Sequence, residues 1–175
     1  MRRLLIKRLL MSCLIPLLLV SPVLALDLSN AEGLEDRALF QETVDYTLTN
    51  QSGQDFHGQN LTNTSFAGAN GRNADFHGAI LHGAILTQGA FSGANFQGAD
   101  LSDALMDRAD FVGTDLRDAV LSRIIASGSS FSKANIEGAD FSDALLDRDD
   151  QRHLCQDAEG INSHTGIATF DSLGC

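Results

Sequence analysis

The chain has 175 residues and carries 12 Lys plus Arg against 23 Asp plus Glu, a formal net charge of -11. That length fits one domain, and the acidity opposes attachment to nucleic acid or to an anionic membrane surface. Only three cysteines are present, there is no Trp, and Tyr occurs once against ten Phe.

Residues 1–25 read as an export signal. A basic start, MRRLLIKR, is followed by the apolar run LLMSCLIPLLLV and by Val23-Leu24-Ala25, which ends in a small residue. The run is short for a membrane span and is interrupted by Pro16 and Pro22. Cleavage after Ala25 removes four basic residues and no acid, so the mature chain has 8 basic and 23 acidic residues, a net -15. Arg2-Arg3 followed by Leu4-Leu5-Ile6-Lys7 resembles the twin-arginine signal, although the apolar segment equally suits the general secretory route.

Residues 26–52 form an amino-terminal cap segment. Ser29 or Asn30 can cap a helix, with Glu32, Glu35 and Asp36 near its positive end and Leu34, Ala38 and Leu39 on an apolar side. Val44-Asp45-Tyr46 and Asn50 are roughly in phase with the periodic stretch that begins at residue 53 and read as an imperfect first coil.

From 53 to 150 a large apolar residue returns every five positions. Of 19 centres from Phe56 to Leu146, 17 are Phe, Leu, Met or Ile, the exceptions being Gly71 and Ala126. Twelve of the 19 positions two before a centre are Ala. A period of five suits neither a helix nor a flat strand. It does suit three extended residues, the first and third facing inward and the middle one outward, followed by two residues that turn a corner. Tandem A(D/N)(L/F)xx, as in Ala94-Asn95-Phe96 and Ala99-Asp100-Leu101, resembles the pentapeptide-repeat family. The resemblance implies an all-β, right-handed quadrilateral parallel β-helix with one pentad per side, 20 residues per coil and short helical caps.

A second period of 20 is visible without that resemblance. The centres sort into a first face, Phe56-Phe76-Phe96-Leu116-Ile136, and a second, Leu61-Leu81-Leu101-Leu121-Phe141. The third is Phe66-Leu86-Met106-Ala126-Leu146 and the fourth Gly71-Phe91-Phe111-Phe131. Ile124 stands where Ala is usual, exchanging volume with Ala126 in what must be a close-packed interior. Outward positions on the third face are Ile85, Leu105, Ile125 and Leu145, whereas only Ile80 and Val120 are large and apolar among the 14 outward positions of the other faces. On the first face the outward column is Asp55, Asp75, Asn95, Asp115 and Asn135, read as a solubilising wall.

Residues 151–175 form a carboxy-terminal helical and loop cap, with a helix expected over 151–158. From Leu154 to Cys175 the pattern LCxxAxGxNxxTGxxTxxSLxC resembles the end of thylakoid-lumenal pentapeptide-repeat proteins and their cyanobacterial relatives. Cys155 and Cys175 are the only cysteines left after processing, and in an exported protein an even pair implies a disulfide. A redox-regulated pair is the alternative, and a metal site from His153, Cys155, His164 and Cys175 is a rival whose spacing matches no familiar zinc pattern.

No nucleophile elbow or phosphate loop is present. His57, His77 and His82 read as solvated corner residues. The expectation is a non-catalytic, cofactor-free and metal-free module of the thylakoid lumen or periplasm. It binds an unidentified protein partner, with no nucleic acid and no membrane attachment after cleavage. The candidate partner-binding stripe is Ile85, Leu105, Ile125 and Leu145, unless the chain's own ends, through Leu154, Ile161, Ile167, Phe170 and Leu173, lie over it. Two alternatives stand beside this reading. One is an acidic DNA mimic like those family members that bind gyrase, which export would oppose; the other is a redox-regulated lumenal protein working through Cys155 and Cys175.

Overall fold

Three extended residues place their outer two side chains on one side and leave backbone groups to bond along the perpendicular axis. The structure, a computed structural model, describes residues 44–175, and there this bonding joins residues one coil apart. Phe56 N–H donates to the Asp75 carbonyl (2.7 Å) and Asp75 N–H to the Gln54 carbonyl (2.8 Å). All 17 parallel bridges, from Asp45↔Ser65 to Ile125↔Leu145, link positions 20 apart, four to a coil. The result is a four-sided parallel β-helix that already includes Asp45 and Asn50. The leader and most of the amino-terminal cap segment lie outside the described residues.

Each corner is a tight turn. Gln59 N–H, for example, donates to the Phe56 carbonyl at 3.1 Å. The second corner residue has positive φ, as at Gly58 (62°), while the first does not, a combination that defines a type II turn. The outward Asp or Asn completes the corner by accepting the N–H two residues on. Asp55 Oδ1 accepts from His57 N–H at 2.9 Å, and Asp110 Oδ1 from Val112 N–H at 3.0 Å. The outward acidic column therefore satisfies backbone donors as well as meeting solvent, a structural part that the reading as a solubilising wall leaves out.

Inside, the Ala column and the large centres are buried together. Rings on the first face stack at 4.8 Å (Phe56 on Phe76) and 4.6 Å (Phe76 on Phe96), and the fourth-face rings Phe91, Phe111 and Phe131 stack at 5.4 Å each. Burying each large centre is worth about 1.5–3 kcal/mol. The two exceptions are filled by neighbours. A Cβ on Gly71 would lie 2.6 Å from the Phe91 ring, which already occupies that space. Ile124 and Ala126 are both buried, as the exchange of volume requires.

The ladder ends at Leu145, and helix α1 (Arg148–Leu154) comes next, three residues earlier than expected at its start. Extended Asp147 precedes it, Asp149 and Asp150 lie at its positive end, and Arg152 and His153 at its negative end. Those charges favour the earlier boundary. An antiparallel bridge, Ile161↔Ala168, then forms a small hairpin, and helix α2 (Thr169–Ser172) closes the chain. Leu154 and Leu173 are buried against the core. Tail groups also meet two N–H donors of the last coil: Glu159 carbonyl accepts from Gly138 (2.8 Å) and Ser172 Oγ from Phe141 (3.0 Å).

Candidate functional site

The bridges set Ile85, Leu105, Ile125 and Leu145 in one row, each directly above the next. Ile85 is 36% exposed, Leu105 37% and Leu145 60%, while Ile125 is half-buried. Side chains that face outward from a packed rung have nothing beneath them to enter, so a row of four aliphatic groups makes an apolar strip along this face. Such strips commonly mark contacts.

The carboxy-terminal tail docks elsewhere. Asn162 is buried, and its Nδ2 donates to the carbonyls of Gly138 (2.8 Å), Asp118 and Ala119 (3.2 Å each). Its Oδ1 accepts from the N–H groups of His164 and Thr165, both at 2.9 Å. One amide thus pins the hairpin to the corner between the first and second faces. Ile161 and Phe170 remain 65% and 51% exposed, so cover of the stripe by the tail is not what the structure shows. The amino-terminal segment lies outside the described residues.

Cys155 and Cys175 are brought to bonding distance, their sulfurs 1.96 Å and their Cα atoms 5.7 Å apart. The pair ties the residue after α1 to the last residue of the chain. With both thiols so engaged, the four-ligand set with His153 and His164 is not assembled. Among the described residues, no group of three or more His, Cys, Asp or Glu side chains is placed to hold a metal ion. No helix among them is long and apolar enough to cross a membrane.

The histidines occupy outer corners. His57 and His77 stack face to face with centroids 5.0 Å apart, so their ring-nitrogen lone pairs point in parallel rather than at a shared point. His82 Nδ1 lies 2.9 Å from Ser102 Oγ and 3.5 Å from Asp103 Oδ2. A serine triad needs the acid and the serine on opposite ring nitrogens; here both face the same one. Asp103 instead receives two bonds from Arg123, from Nε (2.8 Å) and a terminal nitrogen (2.6 Å), and these hold its carboxyl below the ordinary range. On the first face Arg117 bonds Asp115 through Nε (2.9 Å) and a terminal nitrogen (2.5 Å), and this hydrogen bonding lowers the Asp115 pKa against the opposing effect of burial.

Sequence reasoning finds the stripe and the cysteine pair but misses two structural features. Asn162 stands out only as one matched position in the tail pattern. The positive-φ corner column is also missed, although Gly recurs there at 53, 58, 68 and 78 in the same phase.

A search of curated proteins finds no match to the chain. Among solved structures, the chain is similar to a pentapeptide repeat protein from the Arabidopsis thaliana thylakoid lumen, with 38% identity and a TM-score of 0.73, covering 74% of this chain and 90% of that one. More distant is a pentapeptide repeat protein from the cyanobacterium Cyanothece, at 20% identity and a TM-score of 0.40, covering 67% and 100%. The plasmid-mediated fluoroquinolone resistance protein QnrB1 matches at 16% identity and a TM-score of 0.38, covering 58% and 67%. The family model for pentapeptide repeats matches in eight copies over residues 55–88, 90–123 and 121–148, more than half of the chain. With that match and a bridge every 20 residues, the chain belongs to the pentapeptide-repeat family, whose fold is the right-handed quadrilateral β-helix.

Proposed function

We propose that this protein is an exported, non-catalytic scaffold that binds a protein partner through the third face of its β-helix. The observation that carries the reading is the unbroken row Ile85-Leu105-Ile125-Leu145, partly exposed on the third face, where from 53 to 150 Ser65 is the one polar outward residue. A solenoid presents its outer faces as flat, regular surfaces, and repeat proteins use such surfaces for binding. The histidine and serine arrangements do not form a relay, so chemistry is not assigned to them. Export is supported by the signal-like residues 1–25 and by similarity to a thylakoid-lumen protein, which favours the lumen or a periplasm as the compartment.

Replacing Leu105 and Ile125 with Ser tests the binding face. On this reading the double variant keeps its thermal midpoint within a few degrees and loses the partner captured by the parent protein under the same conditions. A marked drop in stability would instead mean that the stripe is covered within the chain. Cell fractionation with amino-terminal sequencing tests the compartment, with Leu26 expected as the first residue of the exported form. A first residue at Met1 in the cytoplasm, together with capture of gyrase, would favour the acidic DNA-mimic reading.

A further inference from the structure

A solenoid ends where a rung has donors and no successor. Within the stack, Phe111 N–H donates to the Ser130 carbonyl (2.8 Å), Gly113 N–H to Ser132 (2.9 Å) and Leu116 N–H to Asn135 (2.8 Å). One coil later the equivalent donors are Phe131, Lys133 and Ile136. The tail supplies acceptors to Gly138 and Phe141 of the same coil, but these three N–H groups have no acceptor among the described residues. A donor without an acceptor is costly to the extent that it is kept from water, and Phe131 and Ile136 are buried residues while Lys133 is exposed.

In front of them lies a cavity of about 280 Å³ between the last coil and α1. Phe131, Ala134, Ile136 and Leu154 are its apolar lining residues. Its charged and titratable lining residues are Asp150, Asp157, Lys133 and His153. Burial, and then the charge of Asp147, push the Asp150 carboxyl above its ordinary range. A cation placed beside it would relieve both effects.

We propose that this end cavity binds a short extended segment of another polypeptide, which adds as one further rung and sets a Lys or Arg side chain against Asp150 and Asp157. The donors select the class of ligand. Phe131 and Lys133 need carbonyls two residues apart, the spacing that Ser130 and Ser132 supply to the coil below, and an extended main chain has that spacing. Strand addition to an open edge is a general mode of peptide recognition, with main-chain bonds giving affinity and side-chain pockets giving preference. The Asp150 and Asp157 carboxylates give the preference for a basic residue. This site is separate from the third-face stripe, and either can fail without the other.

The test is an NMR titration of the isotope-labelled full chain with two capped tripeptides, acetyl-Val-Lys-Val-amide and acetyl-Val-Glu-Val-amide. The lysine peptide should shift the amides of Phe131 and Lys133 saturably. The glutamate peptide should bind about fivefold more weakly, the discrimination that one exposed ion pair provides. Asp150→Asn should remove most of that difference, and Asp157→Asn serves the same purpose should the first variant not fold. Four outcomes would overturn the proposal. These are no shift at the Phe131 and Lys133 amides, equal binding of both peptides, equal binding of acetyl-lysine-amide alone, or slow hydrogen exchange of these two amides in the free protein, which would mean the chain fills the site itself.

Discussion

Every fifth residue from Leu48 to Asp143 holds a positive φ, and half of these residues are not glycine. A side chain in that conformation costs about 1–2 kcal/mol relative to glycine. Gly98 has φ 63° and open space where a Cβ would stand, so Gly98→Ala isolates the backbone cost. It should lower stability by about 1 kcal/mol in chemical denaturation, and Gln88→Gly, at φ 59°, should raise it by a few tenths or more. No change in either would mean that the turns are not type II. The large centres are legible in the sequence because Phe and Leu stand out against polar neighbours. The corner column is not, because Leu, Asn, Gln, Asp, Arg and Lys share it with Gly and each is common elsewhere. Asp115 adds a pH dependence. Its carboxyl is held below the ordinary 3.8 by Arg117, so its contribution is present above that value and is lost as pH falls through the lower folded value. Because the pair is partly exposed, Arg117→Gln should cost only about 0.2–1 kcal/mol near neutrality. That difference should vanish in strong acid, as read from denaturation curves of the two proteins.

At the scale of elements, the tail depends on one amide and one cross-link. Asn162 donates to three carbonyls and accepts from two N–H groups. Asn162→Asp would turn a carboxylate oxygen toward those carbonyls, and should destabilise the tail by about 3 kcal/mol or more. Amide exchange at Gly138 and Phe141, whose acceptors the tail supplies, should then quicken, while exchange at Phe96 should not. Reducing Cys155 and Cys175 should act in the same place. Opening a link across 20 residues removes about 3 kcal/mol in the chain-entropy account, and slower exchange on reduction would contradict it. The start of α1 is hard to read from sequence because Arg148, Asp149 and Asp150 look like a charged terminator of the repeat. In three dimensions Asp149 and Asp150 suit the positive end of the helix dipole, and Arg148 does not. That Asn162 is a peg is not readable either, since the carbonyls it holds lie more than 20 residues away on two different coils.

For the whole molecule, period and compartment have different grounds. The 20-residue coil is readable because the outward apolar residues 85, 105, 125 and 145 repeat at four times the pentad, a pattern that the pentad alone does not produce. What binds there is not readable, because a flat aliphatic row carries no hydrogen-bond code that names a partner. The end cavity escapes for a related reason: it exists only because α1 departs from the path of the next rung. All of these features rest on residues 20 apart standing one above another. Phenylalanine-selective NMR labelling measures that most directly, through contacts between ring protons. The account predicts cross-peaks joining Phe91 to Phe111 and Phe111 to Phe131, whose centroids are 5.4 Å apart. Cross-peaks confined to rings ten or fewer residues apart, or rings freely reached by a soluble paramagnetic agent, would contradict it.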